Sequence, residues 1–413
     1  MRTLESCMNR SRRSFLQSSA AAAAAVGFGV VSEPVLARAH GPLADSRTFP
    51  KDAVVINSNE NPLGPCTGAR EAVIAMAEQG GRYCNWLTKE LITTFADMEG
   101  LKPEYVRAFP GSGLALQFCV LAFTSPTKSY VTADPSYEAG MVAAKSSGAR
   151  IAKVHLTKTY SHDVQGMLSA APDAGLFYIC TPNNPTGTLT HHSDIEFLLV
   201  NKPKGSVALV DEAYIHFSDG VSALDLVKAD RDLIVLRTFS KIYGMAGLRC
   251  GLAIARPDLL LKLNAYASLA PADAASTAGT MPITAVAAAT ASLRHAGLVP
   301  ERKRINATIR EQTFAWLSRQ GYSFVPSQSN CFMLDVKRPA KDVISAMAGQ
   351  NIFIGRSWPV WPTHVRITVG TQPEMERFQA ALERVMNAPQ AADLGAVKTG
   401  QDLDGLAMPL THC

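Results

Sequence analysis

No stretch of this sequence is both long and apolar enough for a stable membrane span. The best candidate, "SSAAAAAAVGFGVV" near the N-terminus, is short and rich in alanine. Charge is also scarce. Charged residues make up 18% of the chain and apolar residues 47%, a balance that excludes disorder over most of its 413 residues. The formal net charge is +5, and residues 1–39 hold five arginines against two glutamates, so +3 lies there and +2 in the remainder. That remainder calls for neither nucleic acid nor an anionic membrane as partner. The eight cysteines form no C-x-x-C pair, which excludes a zinc ribbon and argues against a disulfide framework. Beyond Cys7 they are Cys66, Cys84, Cys119, Cys180, Cys250, Cys331 and Cys413, mostly within apolar runs, and read as small buried hydrophobes. No H-E-x-x-H occurs, so the metal-protease pattern is absent, and no G-x-x-x-x-G-K-[ST], so the nucleotide-hydrolase loop is absent too.

What is present begins with a leader. "SRRSFLQ" carries Arg12 and Arg13, the weakly apolar alanine run follows, and Ala37 and Ala39 close a small-x-small cleavage site. The pattern resembles a twin-arginine export signal cleaved near Ala39, and predicts an exported, periplasmic protein that uses the twin-arginine translocation machinery. A chain folded before export would need no disulfides.

From 76 to 281 short apolar runs alternate with helix-like segments. "SYVTA", "GLFYIC", "SVALVDEA", "DLIVLRTF" and "GLAIA" predict continuous buried strands of a mostly parallel sheet covered by helices on both faces. From 282 to 388 one long helical stretch precedes "YSFV", "CFMLDV", "NIFI" and "HVRITV", which predicts a smaller α+β domain. Residues 40–75 are expected to form an arm packing on it, and 389–413 a loose tail.

Four stretches could carry chemistry. "FPGSGLALQ" (109–117) is a glycine turn opening a helix, a place where backbone N–H groups meet anions, though it lacks the third glycine of a dinucleotide fingerprint. "CTPNNPTGT" (180–188) is a rigid turn that would aim Asn183 or Asn184 at a ligand on the carboxyl edge of the sheet. "VALVDEAY" (207–214) ends an apolar strand on Asp211, a carboxylate that requires a cationic partner. "TFSKIYGMAGLRCG" (238–251) supplies Lys241, a nucleophile toward an aldehyde, flanked by Ser240 and Arg249, which suit a phosphate. An aldehyde, a phosphate and a ring nitrogen that pairs with a carboxylate occur together in pyridoxal 5′-phosphate. His191 and His192 read as solvated loop residues, and His216 as structural.

These stretches, with "NSNENPLGP" (57–65), "GRY" (81–83) and "VRITVG" (365–370), stand in the order found in fold-type I pyridoxal-phosphate enzymes. The chain resembles the class I/II aminotransferases over residues 51–390, and the histidinol-phosphate aminotransferase branch most. The resemblance implies an α/β fold with a large, mostly parallel, seven-stranded sheet and a smaller α+β domain. It implies that Lys241 forms an aldimine with the cofactor and shuttles a proton, that Asp211 pairs with the pyridine nitrogen, and that Tyr214 and Asn184 bond the phenolic oxygen. It implies that Tyr137 stacks on the ring, while Ser112, Gly113, Ser240 and Arg249 hold the phosphate. Tyr83 would reach the phosphate of a partner subunit in a homodimer with shared sites. Arg366, with Asn184, would clamp the substrate carboxylate, and Arg356 would meet the distal end of the substrate. The implied reaction is ping-pong transfer of an amino group to a 2-oxo acid.

The chain departs from that branch in two places. "SGLAL" lacks an acidic residue after the phosphate-loop glycine, and "LAPADAASTAGTMPITA" (269–285) differs at the expected pocket mouth. With the export signal, these departures point away from histidine biosynthesis and toward an amino acid or a peptide-like metabolite. A lyase or decarboxylase of the same fold is the alternative reaction, and a non-catalytic binding protein the remaining one.

Overall fold

The computed structural model describes residues 49–266 and 281–388. The leader, the tail, Cys413 and most of 269–285 lie outside the described residues. The strands are β1 (Val54–Ile56), β2 (Val106–Phe109), β3 (Ser129–Asp134), β4 (Ile151–His155), β5 (Ala174–Cys180) and β6 (Val207–Asp211). They continue as β7 (Leu233–Thr238), β8 (Gly251–Ala255), β9 (Ser323–Phe324), β10 (Cys331–Asp335), β11 (Ile352–Ile354) and β12 (His364–Thr368).

Seven of them form one sheet in the order β2-β8-β7-β6-β5-β3-β4. Only β8 runs against its neighbours; the pairs β3–β4, β3–β5, β5–β6 and β6–β7 are parallel. Every residue of β5, β6, β7 and β8 is buried, as the unbroken apolar runs require of strands covered on both faces. Register places Cys180 beside Asp211 and Asp211 beside Leu236, while Thr238 and Phe109 each flank Gly251. The glycine turn, the asparagine turn, the aspartate and the lysine segment therefore open from one edge of one sheet.

The smaller unit holds the antiparallel sheet β12-β10-β9 and the parallel pair β1–β11. Val54 and Ile56 pack in its core with Phe332, Val365 and Phe378, so the N-terminal strand joins it. Two stretches pack otherwise than the expected boundaries. Helix Thr67–Ala77 lies in the arm and helix Ile283–Arg294 in the small domain by sequence, yet both bury residues in the large core. The long helical stretch is two helices, Ile283–Arg294 and Leu298–Arg319, broken around Gly297. Among the described residues no helix is long and apolar enough to cross a membrane.

Candidate active site

The edge of the large sheet encloses a cavity of about 320 Å³. Eight of the twelve residues singled out above line it: Ser112, Tyr137, Asn184, Asp211, Tyr214, Ser240, Lys241 and Arg249.

One end of the cavity is a cationic cup. Gly111 precedes helix Ser112–Phe123 with φ 88°, a left-handed value open to glycine at little steric cost. A Cβ there would stand 2.0 Å from Arg249 Nη2, and one on Gly251 would stand 2.3 Å from the backbone nitrogen of Ser112. Both glycines are thus required for guanidinium, helix start and sheet edge to meet. Arg249 itself sits at φ 65°, a left-handed conformation uncommon outside glycine. Its Nη1 donates to Ser240 Oγ (3.2 Å) and to the Ala246 carbonyl (2.8 Å). The first N–H groups of the helix, from Ser112 and Gly113, have no intrahelical acceptor by geometry. Together these groups can hold a dianionic phosphate.

Asp211 stands apart from that cup at the end of β6 and is 4% exposed. It accepts a hydrogen bond from the Tyr178 hydroxyl (2.9 Å) and another from the Ala213 N–H (3.1 Å). Burial raises its pKa to about 6; the two hydrogen bonds and the charge of Lys241 pull the other way. A cation placed beside it would hold it ionised.

Lys241 Nζ donates to the carbonyls of Asn59 (3.0 Å) and Ser58 (3.4 Å), and lies 5.5 Å from the centroid of the Tyr214 ring. The Tyr214 hydroxyl accepts from Asn59 Nδ2 (3.1 Å) and Asn184 Nδ2 (3.4 Å). Asn184 turns its other amide atom, Oδ1, to Arg366 Nη1 (2.9 Å). Asn183 does different work: it bonds Ser136, Pro135 and Thr186 inside the turn, which leaves Asn184 as the residue facing the cavity. Arg366 is wholly buried, with Nη2 on the Asn57 carbonyl (2.7 Å). Arg356 forms an ion pair with Glu138. Tyr83 is 76% exposed and does not line the cavity.

The residues present fit pyridoxal phosphate: a phosphate cup, a lysine amine, paired amide donors and a carboxylate lie around one cavity. Two contributors escaped the reading of the sequence. Asn59 lies in the quoted "NSNENPLGP", but only its φ of 53° and its contacts show that it serves the site. Tyr178 lies within an apolar strand, where nothing local separates it from a packing aromatic. His192 differs from expectation too: it begins helix His192–Asn201 and pairs with Asp225 (2.9 Å). His216 is buried against Arg237 (2.9 Å), and among the described residues no His, Cys, Asp and Glu cluster could hold a metal.

The family model for aminotransferase class I and II matches residues 51–382. The chain belongs to that family. As an aminotransferase of this class, it takes pyridoxal 5′-phosphate as its cofactor and transfers amino groups. Its relatives include the histidinol-phosphate aminotransferase of Moorella thermoacetica, 30% identical over 81% of this chain and 86% of that protein. The aromatic amino acid aminotransferase of Cutibacterium acnes is 32% identical, over 81% of this chain and 93% of that one. The crystal structure of histidinol-phosphate aminotransferase from Sinorhizobium meliloti, in complex with pyridoxal 5′-phosphate, superposes with a TM-score of 0.73 at 22% identity. It covers 87% of this chain and 95% of that one, a likeness of fold. The large mixed sheet flanked by helices is the fold-type I architecture expected from sequence. These relatives do not favour a lyase.

Proposed function

We propose that this aminotransferase is exported and moves the amino group of an amino acid, or of a peptide-like metabolite, to a 2-oxo acid. The observation carrying the reading is that Lys241, Asp211 and the Ser112–Ser240–Arg249 cup surround a single cavity. When bound, pyridoxal phosphate supplies an electron sink that makes the substrate Cα–H acidic. Lys241 Nζ tethers the cofactor, then holds and moves the Cα proton, a general-base role of roughly 10²–10⁴-fold. Asp211 keeps the ring nitrogen protonated, with Tyr178 and the Ala213 N–H orienting its two oxygens. Tyr214 and Asn184 would bond the cofactor's phenolic oxygen, and Tyr137, on the same cavity wall, would pack on its ring. Ser112, Gly113, Ser240 and Arg249 retain the phosphate. Arg366 receives the substrate α-carboxylate, aligned by Asn184 and the Asn57 carbonyl.

Two further parts of the proposal concern assembly and place. Tyr83 is exposed, as are Ile74 and Trp86, which supports a homodimer in which Tyr83 reaches the partner's phosphate. Light scattering of the purified protein would report twice the chain mass. The leader with Arg12 and Arg13 supports twin-arginine export and cleavage near Ala39; replacing both arginines by lysine should retain the protein in the cytoplasm.

The direct test is an absorbance scan of purified holoenzyme against a panel of amino acids. The visible band of lysine-bound cofactor should bleach to the amine form with donor alone. A band that persists with every donor, or donor loss as CO₂ with no amine form, would sink the transaminase assignment.

A further inference from the structure

Asn330 directly precedes β10 and is 2% exposed. Its amide is only half satisfied. Nδ2 donates to the carbonyls of Asn59 (3.1 Å) and Glu60 (3.2 Å), while Oδ1, equally buried, meets no donor among the described residues. An acceptor stranded in this way is unfavourable, and a leucine of similar volume would fill the place without that cost. What the amide holds supplies the reason for it. The Asn59 carbonyl accepts from Lys241 Nζ (3.0 Å), and the Ser58 carbonyl accepts from the same nitrogen (3.4 Å). Successive carbonyls of an extended strand point to opposite sides. Here two meet one amine because Asn59, between them, leaves the extended region for φ 53°. Asn59 is wholly buried, and the smaller unit fixes it from Thr368 and Cys331 as well as from Asn330. Its N–H donates to Thr368 Oγ1 (2.9 Å), the Thr368 hydroxyl donates to its Oδ1 (3.1 Å), and its Nδ2 donates to Cys331 Sγ (3.2 Å).

The consequence concerns the aim of a proton transfer. A neutral amine has two N–H hydrogens and one lone pair. Two carbonyls that accept both hydrogens fix where the lone pair points, whereas an amine on an unguided four-carbon stem samples many rotamers. Transfer is fast only from near-attack geometry, and a misplacement of 1 Å costs on the order of 10²-fold. Resting on the proposed role of Lys241 as carrier of the substrate proton, we propose that Asn330 is a positioning residue for that step. In the step the Cα–H bond breaks, its proton joins the Nζ lone pair, and the bonding pair stays on the substrate side. Asn330 does not line the cofactor cavity. It holds the Asn59–Glu60 backbone and, through the Asn59 carbonyl, the amine. A lysine on the edge of the large sheet is thus aimed by an amide of the smaller unit.

The test is single-turnover bleaching of the visible band of holoenzyme. The donor is the amino acid of the panel above that bleaches wild type fastest, carrying hydrogen or deuterium at Cα. Asn330→Leu should lower the maximal bleaching rate at least about tenfold and keep the half-saturating donor concentration within about threefold of wild type. Its isotope effect should be at least as large as that of wild type. Asn330→Ala is read in the same way should Asn330→Leu fail to fold. Asn306→Leu is the control. It removes another amide with a buried, unpartnered Oδ1, on the wall of a small cavity that Asn330 also lines, and should leave rate and isotope effect at wild-type values. An unchanged rate in the Asn330 variants, a loss carried by the half-saturating concentration, an isotope effect that falls toward one, or an equal loss in Asn306→Leu overturns the proposal and leaves the transaminase standing. If no amino acid bleaches wild type, the transaminase reading fails and takes this proposal with it.

Discussion

The cofactor half and the substrate half of this cavity are assembled in different ways. The cofactor half is the edge of one sheet. Asp211 ends β6, Ser240 and Lys241 follow β7, and Gly111 and Ser112 follow β2, so strand pairing alone brings them into line. The substrate half is a set of long-range clasps. Arg366, proposed to receive the substrate carboxylate, reaches Asn184 and Asn57, and Arg356 reaches Glu138, joining segments 182, 309 and 218 residues apart. On the proposed roles, the chemistry depends on the edge of one sheet, and selection on how the smaller unit and the N-terminal segment dock on it. Asp211 and Glu212 show the same division on a smaller scale. Glu212 is locked by Arg237 (2.8 Å), Ser222 and the Ala223 N–H, and serves the fold. Its neighbour Asp211, held by a phenol and an N–H and with no salt bridge among the described residues, lines the cavity.

The strongest break of the cofactor half is Lys241→Ala. Turnover should fall by at least roughly 10²–10⁴-fold, and the visible band of lysine-bound cofactor should vanish from the spectrum of the purified variant. An unchanged band would mean that another amine holds the cofactor.

Asp211→Asn follows, with turnover reduced on the order of 10²–10³-fold. It carries an opposite effect on stability. The folded-state pKa of about 6 lies above the ordinary 3.8, so the folded protein keeps its proton longer than the unfolded chain. The stability this carboxyl supplies is full below about pH 4 and lost as pH rises through about 6. Cofactor-free Asp211→Asn should therefore melt higher than cofactor-free wild type at pH 7–8, by on the order of 1–3 kcal/mol, and lose the advantage near pH 4. Melting curves across that range decide it.

Breaking the substrate half should be milder and of another kind. Arg366→Gln should lower kcat/KM roughly 10–100-fold for the amino donor, as expected for a lost charge-assisted pair, while the visible band stays in place. A lost band would move Arg366 into the cofactor half. Tyr178→Phe sharpens the comparison at its finest point. Removing one hydrogen bond to the carboxylate, worth about 1.5 kcal/mol, should slow turnover about tenfold and raise the pKa of Asp211 further, leaving KM nearly unchanged. A pH–rate profile distinguishes this from simple loosening of the core, which would leave the profile where it was.

The cofactor half was largely legible because its signals are local. An apolar strand that ends in Asp211, or a lysine between hydroxyl and glycine after another strand, states its own chemical problem. The turn alone left Asn183 and Asn184 open, the family resemblance implied Asn184, and the folded turn has Asn184 lining the cavity. Asn59, Tyr178 and Glu138 were not legible as individual residues. An asparagine in a loop, a tyrosine in a buried strand and a glutamate before a helix look ordinary until their partners are known.

The sequence by itself determined the alternation of buried strands and helices, the chemical types that meet at the sheet edge, and hence the cofactor those types can hold. Only the tertiary structure decided that Asn59 and Tyr178 serve the site, and that Arg356 is already matched by Glu138. The reason is that periodicity and turn chemistry act over a few residues, whereas charge pairing depends on which distant segments fold into contact.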